Sequence, residues 1–217
     1  MNTRALTLAG PEGPLSAELL NPTTPVALVV LAHGAGADFR HANMLAIAEA
    51  FADQQIATLR FNFPFMEKGR RPVDRPDVSM DAIAAAVVAA AEEGLPLYLG
   101  GHSFGGRMAS HAVVERELPV RGLIFCSFPL HQPKKPSLSR AEHLPRIDVP
   151  MLFLSGTRDA LAEPVLLEEV IAGLGKRAML HWLDTADHSY KILKRQRPAS
   201  PTVFEEMAGV ARAFITG

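Results

Sequence analysis

Cysteine is almost missing from this chain of 217 residues, and Cys126 stands alone. A lone cysteine excludes an internal disulfide and removes the main sign of an oxidising compartment. Long apolar runs are missing too. No stretch approaches the length needed to cross a bilayer, and the opening residues Met1 to Gly10 are too polar for the apolar region of a signal peptide. A cytoplasmic location with no membrane partner is therefore expected. The chain also lacks an excess of either charge: its net charge is −1, which gives no reason to expect nucleic-acid binding. Neither G-x-G-x-x-G, nor a P-loop, nor H-E-x-x-H or comparable histidine spacing occurs, so neither a cofactor nor a metal is expected. No repeat, linker or second domain is visible, and the length fits one domain, residues 1–217, with a substantial core.

What the chain does have is a regular alternation of apolar strands and amphipathic helices. Two weak strand signals, Ala5 to Leu8 and Leu15 to Leu20, flank the turn Gly10-Pro11-Glu12-Gly13-Pro14 and predict an antiparallel edge hairpin. From Val26 onward, strand and helix alternate, which predicts an α/β fold with a mostly parallel, doubly wound sheet and helices on both faces. Helices are expected from His41 to Gln54, from Met80 to Glu92 behind Ser79 as N-cap, after Glu163-Pro164, and finally behind Ser200 with Pro201 at the first position. Two connections are long, Pro64 to Ser79 and Pro129 to Val149. The second, rich in proline, leaves little room for a cap domain, so an open site is expected.

The chemistry is concentrated in Gly101-His102-Ser103-Phe104-Gly105. An apolar strand precedes this stretch and a helix follows it, the context in which a serine on a sharp turn projects its hydroxyl above the sheet edge. Serine is a poor nucleophile until a base takes its proton, so a histidine and an orienting carboxylate are required. His188 alone among the histidines lies in a loop after the last strand. Asp159 follows the strand Met151 to Gly156. Asp184 and Asp187 compete with it as the acid, but Asp187 adjoins His188, and neighbours in a loop seldom orient towards one another as this chemistry needs. Ser127 to Pro136 contains no carboxylate, which removes a placement one strand earlier. Ser103, Asp159 and His188 all follow strand carboxyl ends, where open α/β sheets bind ligands.

Developing negative charge on a tetrahedral intermediate requires preorganised N–H donors. The N–H of Phe104 is one candidate. The strand Val26 to Ala32 runs into His33-Gly34-Ala35-Gly36, which offers the N–H of Ala35, with Gly34 as the alternative. His33 is read as a brace for this loop, and Cys126 as core packing.

With these residues in view, the chain resembles the α/β-hydrolase superfamily, and within it the small lidless subfamily related to dienelactone hydrolases. The His-Gly-x-Gly loop resembles the oxyanion loop of esterases and lipases. The segment Arg60 to Pro72 resembles the signature of a bacterial group of predicted hydrolases. The resemblance spans about Ala27 to Phe214 and implies a serine hydrolase acting on a small ester or thioester through an acyl-enzyme. Short-peptide or amide hydrolysis and a non-catalytic binding scaffold are the alternatives. Phe104, Phe65 and Met66 are candidates for an acyl pocket, and Arg70 and Arg71 for the recognition of an anionic substrate.

Overall fold

The fold is that of a computed structural model, which describes residues 1–197 and 199–217. Strands β1 (Asn2–Gly10), β2 (Gly13–Asn21), β3 (Ala27–Ala32), β4 (Ile56–Phe61), β5 (Leu97–His102), β6 (Leu123–Cys126), β7 (Met151–Gly156) and β8 (Ala178–Leu183) build one eight-stranded sheet in the order β1-β2-β4-β3-β5-β6-β7-β8. The expected edge hairpin is present: β1 pairs antiparallel with β2, and β2 with β4. Every later pairing is parallel.

Because successive side chains point to opposite faces of a strand, an apolar strand covered on both faces feeds two cores. In β3, Leu28, Val30 and Ala32 join one apolar cluster, whereas Ala27, Val29 and Leu31 join another. Helices α3 (Pro76–Ala91), α4 (Phe104–Arg116) and α5 (Pro164–Leu174) supply the first cluster, while α1 (Ala42–Asp53) and α6 (Val203–Thr216) supply the second. The sheet is thus sandwiched as its alternation predicts. Among the described residues, no helix is long and apolar enough to cross a membrane.

Two helix starts differ from the sequence reading. α3 opens at Pro76 rather than beyond Ser79, because proline at the first position is compatible with a helix start; Ser79 is carried inside the helix and buried. α6 opens at Val203, behind Thr202 rather than Ser200. Thr202 accepts the N–H of Glu205 while Glu205 reaches back to the Thr202 N–H, a reciprocal cap that satisfies two orphan donors at once. The long connection after β4 contains an unanticipated short helix, α2 (Pro64–Glu67). The connection from Pro129 to Val149 holds two 3₁₀ turns, Ser139–Ala141 and Leu144–Arg146, and an isolated bridge between Gln132 and Lys135.

Candidate active site

β5 ends at His102, and α4 starts at Phe104, so a single residue makes the turn between them. Ser103 adopts φ 52° and ψ −116°, a strained conformation that typically costs about 1–3 kcal/mol. Its N–H donates to the carbonyl of Cys126 at 3.0 Å. The flanking glycines make the turn sterically feasible. A Cβ on Gly101 would lie 2.4 Å from the Ala32 carbonyl oxygen, and one on Gly105 would lie 2.3 Å from it, so strand β3, the elbow and α4 meet backbone to backbone.

The three side chains read from the sequence converge. Ser103 Oγ lies 2.8 Å from His188 Nε2, and His188 Nδ1 lies 2.8 Å from Asp159 Oδ2. A carboxylate can only accept, so Nδ1 carries the proton, and Nε2 is left to accept from the serine hydroxyl. The Asp159 side chain is fully buried, and its Oδ1 accepts the Leu161 N–H at 2.8 Å. The two competing acids lie elsewhere. Asp187 Oδ1 accepts the N–H groups of Ser189 and Lys191 and shapes the loop, while Asp184 is exposed.

His33 performs its bracing role with both ring nitrogens. Nε2 accepts the Phe63 N–H at 3.1 Å, so Nδ1 carries the proton and donates to the Gly34 carbonyl at 2.8 Å. Burial pushes its pKa down to about 4, which keeps the ring neutral near pH 7. Ala35 is exposed beside Ser103 in the same cleft, with Gly34 alongside. Among the described residues, the N–H groups of Ala35 and Phe104 take part in no loop or turn hydrogen bond of the backbone.

The cleft has a volume of about 300 Å³, and its walls include Ala35, His41, Met44, His102, Leu161 and His188. His41 caps α1 by accepting the Asn43 N–H at 3.3 Å. His102 has a role that its place in the motif does not announce. Its Nε2–H donates to the His188 carbonyl at 3.0 Å, and burial pushes its pKa down to about 4. It is thus a neutral strut under the histidine loop. The signal for such a strut, a donor immediately before Ser103, is visible in sequence only once the partner loop is known.

The expected substrate contacts are corrected. Phe65 is fully buried, edge-on to His33 and Phe104, because α2 turns it into the core. Met66 packs against the same core cluster. Arg70 is engaged by Asp74 at 2.6 Å and by Glu12 at 3.3 Å, so its charge is already answered. Neither Met66, Arg70 nor the exposed Arg71 is among the residues lining the cleft. Cys126 is fully buried, and desolvation pushes its thiol up to about 12, as suits packing rather than nucleophilic attack.

Residues 25–216 match the model of a family described as an alpha/beta hydrolase domain. Solved structures share the fold along nearly the whole chain. A dienelactone hydrolase from Anabaena variabilis is 18% identical, with a TM-score of 0.74, over 98% of this chain and 95% of that one. A lidless α/β serine hydrolase from Xanthomonas campestris is 21% identical, with a TM-score of 0.70, over 100% of this chain and 97% of that one. The Butyrivibrio proteoclasticus protein Est1E, bound to ferulic acid, is 17% identical, with a TM-score of 0.75, over 97% and 98%.

Proposed function

The chain belongs to the α/β-hydrolase family, and from that premise we propose that it is a serine hydrolase that cleaves small esters or thioesters through an acyl-enzyme on Ser103. The observation that carries this reading is the continuous chain from Ser103 through His188 to Asp159, with 2.8 Å at each link. His188 Nε2 takes the hydroxyl proton as Oγ attacks the acyl carbon, and Asp159 stabilises the imidazolium that forms. The N–H groups of Ala35 and Phe104 hold the oxyanion. The tetrahedral intermediate then collapses, the leaving group departs with the proton from His188, and the acyl group remains on Oγ. Water, deprotonated by the same histidine, releases the acid and restores the serine.

Open access to the cleft and its modest volume support small acyl groups. The test is labelling by a fluorophosphonate together with turnover of p-nitrophenyl acetate, on wild type and on Ser103→Ala. Labelling of Ser103 and a loss of about six orders of magnitude in kcat for the variant are expected. Undiminished turnover by Ser103→Ala would refute the mechanism.

A further inference from the structure

The segment between β6 and β7 gathers cations that no carboxylate answers. Lys135 and Arg140, together with His131, Gln132, Ser137 and Ser139, line a polar cavity of about 220 Å³, and no acidic residue is among those lining it. Elsewhere in the molecule, Arg4, Arg60, Lys68, Arg70, Arg116, Arg146, Arg177 and Arg197 each pair with a carboxylate. Among the described residues, Lys135, Arg140 and Arg107 do not, and neither do other cations such as Arg40, Arg71, Arg75, Arg121 and Arg158; what sets Lys135 and Arg140 apart is that they line one cavity together. The Arg107 guanidinium lies 5.9 Å from the Phe104 ring centroid. Burial first, and then the charge of Arg140, hold its pKa below the usual arginine value. Like charges gathered without a counter-ion repel one another, and a bound anion would relieve that cost.

The donors are also held in place. Arg140 is fixed by donating to the His131 carbonyl at 3.0 Å. Ser137 Oγ accepts the Ser139 N–H at 3.1 Å and donates to Ser139 Oγ at 3.0 Å. That ordering frees the Ser139 hydroxyl proton for another acceptor. One backbone hydrogen bond links the walls of the cavity and the cleft: the His131 N–H donates to the Leu161 carbonyl at 3.1 Å, and Leu161 lines the cleft and donates its own N–H to Asp159.

We propose that the cavity formed by Lys135, Ser137, Ser139 and Arg140 binds a phosphate group, carried on the leaving-group side of a substrate whose acyl carbon lies at Ser103. A guanidinium fork, an ammonium and a hydroxyl donor suit the several oxygens of a tetrahedral oxyanion. Substrates of this class are thioesters or esters whose alcohol or thiol portion ends in phosphate. The substrate assignment rests on the serine-hydrolase reading, whereas phosphate binding can be measured without turnover.

The experiment titrates full-length Ser103→Ala calorimetrically with acetyl-coenzyme A, with the neutral thioester S-acetyl-N-acetylcysteamine, and with inorganic phosphate as competitor. Acetyl-coenzyme A is expected to bind at least about ten-fold tighter than the neutral thioester, with the preference shrinking as salt rises from about 0.05 M to about 0.5 M. Phosphate should compete with it. Adding Lys135→Gln and Arg140→Gln should abolish the preference; Lys135→Glu alone, at an exposed position, should weaken it and guards against misfolding at Arg140. Equal binding of the two thioesters, or a preference that survives both Lys135→Glu and the double change, would overturn the proposal. Phosphate-dependent binding in a protein whose wild type neither labels with a fluorophosphonate nor turns over esters would keep the anion site and overturn the hydrolase reading.

Discussion

Replacing Asp159 by asparagine removes one charge and almost no volume, yet the surrounding geometry gives the amide no good orientation. In the wild type, Oδ1 accepts the Leu161 N–H and Oδ2 accepts from His188 Nδ1, each at 2.8 Å. If the amide oxygen stays with Leu161, the NH₂ group faces Nδ1 and forces that nitrogen to accept. The proton then moves to Nε2, which points at Ser103 and can no longer receive the hydroxyl proton. If the amide is flipped, two donors meet in a fully buried site, and an unsatisfied buried donor costs about 1–3 kcal/mol. The first orientation is therefore favoured, and it carries the wrong tautomer. A loss of about 10⁴ in kcat follows, close to 5.5 kcal/mol of transition-state stabilisation. The assay is p-nitrophenyl acetate hydrolysis at several pH values, with circular dichroism to verify folding. Asp187→Asn serves as the comparison, because that carboxylate accepts only backbone N–H groups of its own loop, and it should lower kcat by less than about ten-fold. A folded Asp159→Asn that keeps activity within ten-fold of wild type would refute the assignment of the acid.

Three further outcomes are expected. His33 and His102 are pushed down to about 4 by burial, so the unfolded state binds their protons more readily. Their contribution to stability is complete above about pH 6.5 and declines as pH falls towards 4, by up to about 3 kcal/mol each; urea unfolding that is flat between pH 6.5 and 4 would contradict this. Gly105→Ala places a methyl group 2.3 Å from the Ala32 carbonyl oxygen and should destabilise the fold by several kcal/mol, read as a collapse in soluble yield or in Tm. A cleft of about 300 Å³ without a lid should favour acetyl and butyryl esters over palmitoyl esters and give no jump in rate at an oil–water interface. A preference for long-chain triglycerides would count against the open site.

The parts of the site readable in sequence are those tied to strand ends. Ser103, Asp159 and His188 each follow a strand of the parallel sheet, and Gly34 and Ala35 follow β3, so the order of strands dictates where they meet. Charges in the long connection after β4 were not readable in this way. Arg70 is claimed by Glu12, which lies in the turn of the edge hairpin 58 residues away, and Phe65 is turned inward as its N–H donates to Asp74 Oδ2 at 2.8 Å. Such pairings depend on which loops the sheet brings side by side, and no local pattern announces them. Helix starts were displaced for a related reason: at both α3 and α6 more than one residue could cap, and proline placement and the reciprocal Thr202–Glu205 bonds decided between them.

The loop carrying His188 is held almost entirely by its main chain and by its neighbours. His102 fixes the 188 carbonyl, Asp187 fixes the two N–H groups beyond it, and Asn43 Nδ2 donates to the Ser189 carbonyl at 3.1 Å. The imidazole therefore contributes little to the shape of the loop that presents it. Excising that ring should leave a socket of imidazole dimensions, with the carboxylate of Asp159 at its floor and the Ser103 hydroxyl at its mouth. His188→Gly is accordingly a candidate for chemical rescue: small azoles supplied in solution should restore turnover in proportion to their basicity and fit, which would turn the enzyme into one whose activity is switched by a diffusible base.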